Sequence, residues 1–291
     1  MNKIRDYLQL VKPSLSIMVV FSSVISYLLA PKVVEYDWWM IGLLFTGGML
    51  VTGSANAINQ VTEKDSDARM KRTQKRPVAA GRLTPQEGIG FAIITGAGGV
   101  LLLGSLFNWL SAGLAAFSLF VYAFIYTPLK KVNSVAVLVG AIPGALPCLI
   151  GWAAGDDRLS LGGWILFGIQ FFWQFPHFWA IAWIAHADYS AVGFKLLPSE
   201  KGPTRFTALQ ALVYSLVLAT VTLIPFYTGT SGFRSLAGQT GLALVVVANI
   251  FLIWRCWRLY AAMTVADARK VMFGSYLYLP VVLLALLLSK N

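Results

Sequence analysis

Charge is scarce in this 291-residue chain: Asp, Glu, Lys and Arg together make up 12% of it, about half the share of a soluble domain. With 57% of its residues hydrophobic and a mean hydropathy of +0.69, such a chain cannot cover a water-facing surface, which excludes a soluble globular domain. Cysteine is limited to Cys148 and Cys256, in or beside different apolar runs and without metal-site spacing. Neither a disulfide framework nor a zinc site is expected, and both thiols read as small buried residues. No low-complexity segment and no separate soluble domain is visible. With only 2 histidines and 12 acidic residues, the places where such groups do occur carry unusual weight.

What the chain does have is long apolar runs. A stretch of about 20 apolar residues spans a bilayer. Nine candidates run about 14–29, 39–58, 89–106, 109–126, 135–154, 164–185, 207–227, 242–260 and 273–288. The expectation is an all-α polytopic membrane protein with nine transmembrane helices. The net charge of +11 sorts by topology and gives no reason to invoke nucleic acid. With a cytoplasmic N-terminus and alternating connections, all but Lys32, Arg158, Arg234 and Lys290 of the 23 Lys and Arg fall on the cytoplasmic side. That asymmetry predicts N-in, C-out. About a dozen residues precede the first run, without a cleavage site or an Arg- and Ser-rich transit segment, so a bacterial-type plasma (inner) membrane is expected.

Two cytoplasmic connections are long, about 59–88 and 187–206, and they lie four spans apart. Each begins with acidic residues at a helix end and continues into basic, Pro- and Gly-containing sequence. This predicts a single domain of two related four-helix halves, about 13–127 and 134–260, plus a ninth helix at about 273–288, with a site between the two loops. In the first loop Asn59, Glu63 and Asp67 recur every four residues, a spacing that stacks them on one face of a helix. An amide and two carboxylates are hard oxygen ligands suited to Mg²⁺. Lys64, Arg69, Lys71, Arg72, Lys75, Arg76 and Arg82 follow closely, and cations beside a divalent metal suit a diphosphate. Asp65 points about 200° away from Glu63 and reads as a solvated or supporting group. Asp188, at the head of the second loop, is the matching candidate ligand. Lys71, Arg72, Arg76, Lys130 and Lys195 are candidates for the remaining phosphate charge, each equally readable as a positive-inside topology residue.

His177 lies well inside the sixth run, in QFFWQFPHFWAIAWI, beside Gln174 and Pro176. An intramembrane histidine is a functional-site hypothesis by default. It reads either as a contact to a large buried substrate, including axial ligation of a haem iron, or as a hydrogen bond to a neighbouring helix. His186 sits at the interface. The Trp and Phe side chains crowded over 164–183 read as packing, as the lining of a pocket for a flat macrocycle or isoprenoid tail, or as faces for an allylic cation. Gly140 and Gly144 have small-xxx-small spacing and read as helix packing, while Pro143, Pro147 and Pro176 suit kinks around a cavity.

These features resemble a known family. Asn59, Glu63 and Asp67 followed by MKRTQKRP are similar to the first aspartate-rich motif of the UbiA superfamily of intramembrane prenyltransferases. Within it, YTPLKKVNS (126–134), GAIPGALPCLIGW (140–152), and WQFPHFWAIAW followed by DYSAVGFKLLP resemble the protohaem IX farnesyltransferase (haem O synthase) branch. The resemblance implies a nine-helix UbiA-type bundle whose active site faces the cytoplasm. It also implies Mg²⁺-dependent transfer of farnesyl from farnesyl diphosphate to a vinyl group of haem B, with water addition. By the same resemblance Asn59, Glu63, Asp67 and Asp188 take catalytic metal–diphosphate roles, and His177 with Gln174 takes the haem side. Protein partners are then expected among terminal-oxidase assembly proteins or haem A synthase. Two positions depart from the superfamily pattern: Glu63 stands where many members have Asp, and Val192 where a full D-x-x-x-D would place a second acid. The alternatives are a UbiA-type enzyme acting on an aromatic quinone precursor and a non-catalytic haem-handling membrane protein or transporter.

Overall fold

The computed structural model describes residues 3–199, 201–227 and 236–290; Arg234, assigned above to the outer face, lies outside them. The described residues form helices and no strand beyond one isolated bridge. In order these are α1 (Lys3–Val11), α2 (Pro13–Leu29), α3 (Trp38–Thr62), α4 (Lys64–Arg69), α5 (Pro85–Leu106) and α6 (Trp109–Phe120). A π-helical turn (Val121–Tyr126) and α7 (Thr127–Leu129) extend α6. Then come α8 (Ala136–Asp156), α9 (Leu161–Ile184), α10 (His186–Ala191), α11 (Arg205–Leu223), α12 (Gln239–Ala262) and α13 (Val265–Leu288).

The helix starts are written locally. Asp37 accepts hydrogen bonds from the Trp39 and Met40 amides to open α3. Thr84 and Glu87 form a reciprocal capping box, with Pro85 at the first helical position of α5. Thr264 caps α13 by accepting from the Asp267 amide, so that helix begins well before the apolar run expected at 273.

Among the described residues, seven helices are long and apolar enough to cross a membrane: α3, α5, α6 with its extension, α8, α11 with its last turn, α12 and α13. The pair α1–α2, bent by 43° at Lys12, makes eight if it is one span. The run expected at 164–185 forms α9, whose Gln170, Gln174 and His177 lower its hydropathy. All three are buried where α9 packs against α8, α11 and α13.

Sequence neighbours pack as antiparallel pairs, and α8 sits at the centre against α2, α6 and α9. Its small residues permit close approach: a Cβ placed on Gly151 would overlap the Ser23 carbonyl oxygen of α2. Pro147 has no N–H to give the Pro143 carbonyl, and Ser118 of α6 donates to that oxygen instead at 3.2 Å. At the far end of α2, the Lys290 ammonium donates to the carbonyls of Leu28, Ala30 and Val33. Replacing Gly151 with Val should force α2 and α8 apart and cost about 1–3 kcal/mol or more. Thermal unfolding in detergent measures this, and an unchanged melting temperature would contradict the close backbone contact.

Candidate active site

The end of α3 carries two polar rows with different tasks. Asn56 donates to the Val11 carbonyl at 3.1 Å, and Gln60 donates to the Gln9 and Leu10 carbonyls at 3.3 and 3.1 Å. These bonds satisfy the open carbonyls at the end of α1. They hold the chain where Lys12 takes a left-handed backbone conformation, φ 50°, before Pro13 starts α2. The other row is Asn59 and Glu63. The four-residue spacing reads as one helical face, and the helix itself is interrupted at Glu63, where α3 ends and α4 begins. Hydrogen bonds from the Glu63 amide to Asn59 and from the Asp67 amide to Glu63, 3.0 and 2.7 Å, carry the four-residue phase across the break.

Glu63 and Asp67 are both buried, at 6% and 0% exposure. Buried carboxylates need cation partners. Lys130 donates to Glu63 Oε1 at 2.7 Å, and Arg76 reaches both oxygens of Asp67 at 2.9 and 2.7 Å. Lys12 lies within electrostatic reach of Glu63, Asp67, Arg76 and Lys130. The Asn59 Nδ2 is buried without a hydrogen-bond partner among the described residues. Two carboxylates and the Asn59 side-chain oxygen fit Mg²⁺ in donor type, whereas the unpaired Asn59 Nδ2 can only donate, to an acceptor such as a phosphate oxygen. Asp188 does not join them in one cluster, since no group of three His, Cys, Asp or Glu side chains among the described residues could hold a metal. Asp65 is exposed.

The two long loops do meet. Met70 packs with Val192 and Phe194, Arg72 donates to the Tyr189 hydroxyl at 3.1 Å, and the Lys195 amide donates to the Lys130 carbonyl at 2.7 Å. Asp188 therefore sits on the short helix α10, next to the residue that contacts the first loop. Lys195 lines a separate hollow of about 370 Å³ with Asn133, His186 and Ser190. Lys71 is exposed on the loop surface.

Below the carboxylates opens a mainly apolar cavity of about 560 Å³ between α2, α3, α6, α8, α9 and α13. Tyr126 joins the two regions: it lines the cavity, and Lys130 Nζ lies 4.4 Å from its ring centroid. The π-helical turn brings Tyr122 and Tyr126 together, with ring centroids 5.3 Å apart. Such turns occur frequently at functional sites. His177 lines the cavity deeper down and is only 4% exposed. Gln174 also lines it and donates to the Ala141 carbonyl at 2.9 Å. Gly140 and Gly144 make room for cavity side chains: a Cβ on either would strike the Tyr126 ring or the Gln174 amide.

Against known proteins, the model of the UbiA prenyltransferase family matches residues 19–277. The chain belongs to the UbiA prenyltransferase family. It is 39% identical over 290 residues to the protoheme IX farnesyltransferase of Cytophaga hutchinsonii, covering 99% of each chain. It is 38% identical to that of Flavobacterium johnsoniae, covering 98% of this chain and 94% of the relative. The solved structure of a digeranylgeranylglyceryl phosphate synthase has the same fold, with TM-score 0.79 at 19% identity and 99% coverage of both chains. A UbiA homolog from Archaeoglobus fulgidus, solved bound to GPP and Mg²⁺, gives TM-score 0.68 at 13% identity, covering 97% and 99%.

In this UbiA-family chain the structure gathers Asn59, Glu63, Asp67, Arg76 and Lys130 at one end of the cavity and places Gln174 and His177 on its wall. Lys12, within electrostatic reach of these groups, reads from the sequence only as one more positive-inside charge before the first span. The Lys-Pro step at a helix boundary was its only local signal. Replacing Lys130 with Met should leave Glu63 buried and unpaired, at a cost of about 3–5 kcal/mol. Adding Glu63→Gln should recover part of that loss. Unfolding of the single and double variants measures it, and equal stability of Lys130→Met and the unaltered protein would show that the pair is not needed.

Proposed function

We propose that this protein transfers the farnesyl group of farnesyl diphosphate to a vinyl carbon of haem B, with water completing a hydroxyethylfarnesyl side chain. The observation that carries this reading is one cavity with a buried carboxylate–cation cluster at its head and a buried histidine on its wall. Full-length identity of 36–39% to relatives named for that reaction supports it. A quinone-type acceptor would give His177 no task beyond its interhelical contact with Ser275.

The diphosphate binds at the head of the cavity. Asn59, Glu63 and Asp67 would hold Mg²⁺ there, and Asp188 on α10 would extend the set from the second loop. The metal supplies Lewis-acid stabilisation of the diphosphate charge. Lys12, Arg72, Arg76 and Lys130, with Lys71 and Lys195 on the loop rims, neutralise the rest. When substrate arrives, Lys130 and Arg76 turn from carboxylate to phosphate partners. The C1–O bond of the allylic diphosphate breaks, and the leaving diphosphate takes the electron pair. Stabilising that anion is the main catalytic contribution. Tyr122 and Tyr126 present ring faces to the farnesyl cation. The vinyl π pair then forms the new carbon–carbon bond, leaving a cation beside the porphyrin. Water adds to it and releases one proton. The products are the substituted haem, diphosphate and H⁺.

We further assign nine crossings, with the N-terminus and the active site cytoplasmic in a bacterial inner membrane. α9 has 24 residues and is about 36 Å long, enough to cross. Its polar groups are shielded from lipid by α8, α11 and α13. The basic loops gather at the carboxylate end, as the positive-inside rule requires of a cytoplasmic face. The two loops occupy equivalent places in two four-helix halves. The product would pass to a membrane enzyme or oxidase assembly factor that accepts the prenylated haem.

Mass spectrometry of the haem after incubation of purified protein with haem B, farnesyl diphosphate and Mg²⁺ tests the reaction. A hydroxyethylfarnesyl haem that disappears with EDTA is expected, and unmodified haem beside an active control enzyme would overturn the proposal. Glu63→Ala or Asp67→Ala should lower turnover by about a hundredfold or more while haem binding persists. His177→Ala should weaken haem binding and spare farnesyl diphosphate; equal loss of both in all three variants would sink this division of roles. Lys12→Gln should weaken farnesyl diphosphate binding by about tenfold, the scale of one charge-assisted hydrogen bond. Direct titration reads this, and unchanged affinity would remove Lys12 from the site.

A further inference from the structure

Ser275 lies on α13, opposite α9. Its hydroxyl oxygen is 2.8 Å from His177 Nδ1 and 2.7 Å from the Met272 carbonyl oxygen. A carbonyl can only accept, so the single hydroxyl proton belongs to the Met272 contact. The Ser275 oxygen then accepts a hydrogen bond, and Nδ1–H of His177 is the group that gives it. The opposite arrangement, a hydroxyl donating to a bare Nδ1, would set two oxygen lone pairs against each other at 2.7 Å. A neutral ring held this way carries its proton on Nδ1 and a free lone pair on Nε2.

The ring plane is fixed as well. Trp173 stacks on His177 with centroids 4.8 Å apart and planes 15° from parallel, and Tyr276 closes edge-on at 4.6 Å. Trp173 Nε1–H donates to the Ser275 carbonyl at 2.8 Å. One serine thus holds the histidine by its side chain and the stacked indole by its backbone. His177, Trp173 and Tyr276 all line the cavity.

The geometry points to Ser275 as a positioning residue that fixes the tautomer and plane of His177, so that Nε2 offers its lone pair to the haem iron of the acceptor substrate. This rests on the reading that the cavity takes haem. Histidines that bind iron ordinarily donate their other ring N–H to a fixed acceptor, and Ser275 supplies that acceptor here.

The chain has only 2 histidines, so a protein labelled with ¹⁵N in its imidazoles gives two ring systems, which His177→Gln assigns. Long-range ¹H–¹⁵N correlation on the haem-free protein should show His177 protonated at Nδ1 and bare at Nε2. Ser275→Ala should shift the proton population toward Nε2, and Ser275→Thr should restore the unaltered pattern. An Nε2–H ring in the unaltered protein, or an unchanged ring in Ser275→Ala, would overturn the proposal. Titration with haem B should then show about 10–100-fold weaker binding for Ser275→Ala and an altered iron–nitrogen stretch by resonance Raman. Farnesyl diphosphate affinity should be unchanged. If the tautomer responds as expected but haem binds identically to the unaltered protein, His177→Gln and Ser275→Ala, the haem reading falls and Ser275 remains the positioning partner of His177.

Discussion

A carboxylate at the edge of a membrane protein's interior must be neutralised, and this fold holds two of them within one helical turn. Glu63 takes its cation from Lys130, beyond the end of α7, and Asp67 takes its cation from Arg76 in the following loop. Each pair ties a separate stretch of chain to the end of α3. Once Lys130 is fixed, its carbonyl accepts from the Lys195 amide, which draws in the second loop. The arrangement of the whole charged end therefore follows from the need to pair two anions. Pairs of this kind contribute little to stability beyond offsetting their own desolvation. Their value lies in leaving charge of both signs concentrated at the head of an apolar cavity.

The same end shows what a sequence can and cannot convey. The four-residue spacing of Asn59, Glu63 and Asp67 was visible because it is a local helical periodicity, and it survives even where the helix breaks at Glu63. The meeting of the loops was legible from their matching positions, but the contacts that join them are long-range. The placements of Lys12 and Ser275 were invisible for a common reason: each is set by another helix. Lys12 depends on Asn56 and Gln60 holding the end of α1 in place, and Ser275 depends on α13 lying against α9. The π-helical turn in α6 was equally hidden, since nothing in VYAFIY distinguishes it from ordinary apolar helix.

The aromatic-rich segment of α9 resolves into two populations. Phe172, Phe175 and Trp179 turn toward Tyr214 of α11, and Phe171 packs on Phe175 in the same cluster. Trp173 and Phe178 face the cavity beside His177, Gln170 and Gln174. Density of aromatics could not separate these uses, because both faces of α9 are buried and helical phase alone does not say which neighbour is a helix and which is a void. The polar residues mark the cavity face: the intramembrane Gln and His side chains of α9 all lie on it, where polar groups find partners that lipid cannot offer.

That placement bears on how two incompatible demands share one chamber. A farnesyl cation must meet a vinyl group before it meets water, whereas the second cation must be captured by water. Charge at the head of the cavity and a ring nitrogen on its wall separate the ends of the reaction in space. On the proposed reading the leaving diphosphate stays with the cations near the loops, and the porphyrin is held by a group whose orientation comes from α13. Between them lie Tyr122, Tyr126 and mostly apolar side chains, whose aromatic faces are electron-rich surfaces for the first cation on this reading. Selectivity for vinyl carbon over water is then a matter of distance and exclusion, set by helix packing, while the rate of ionisation is set by the paired charges at the head.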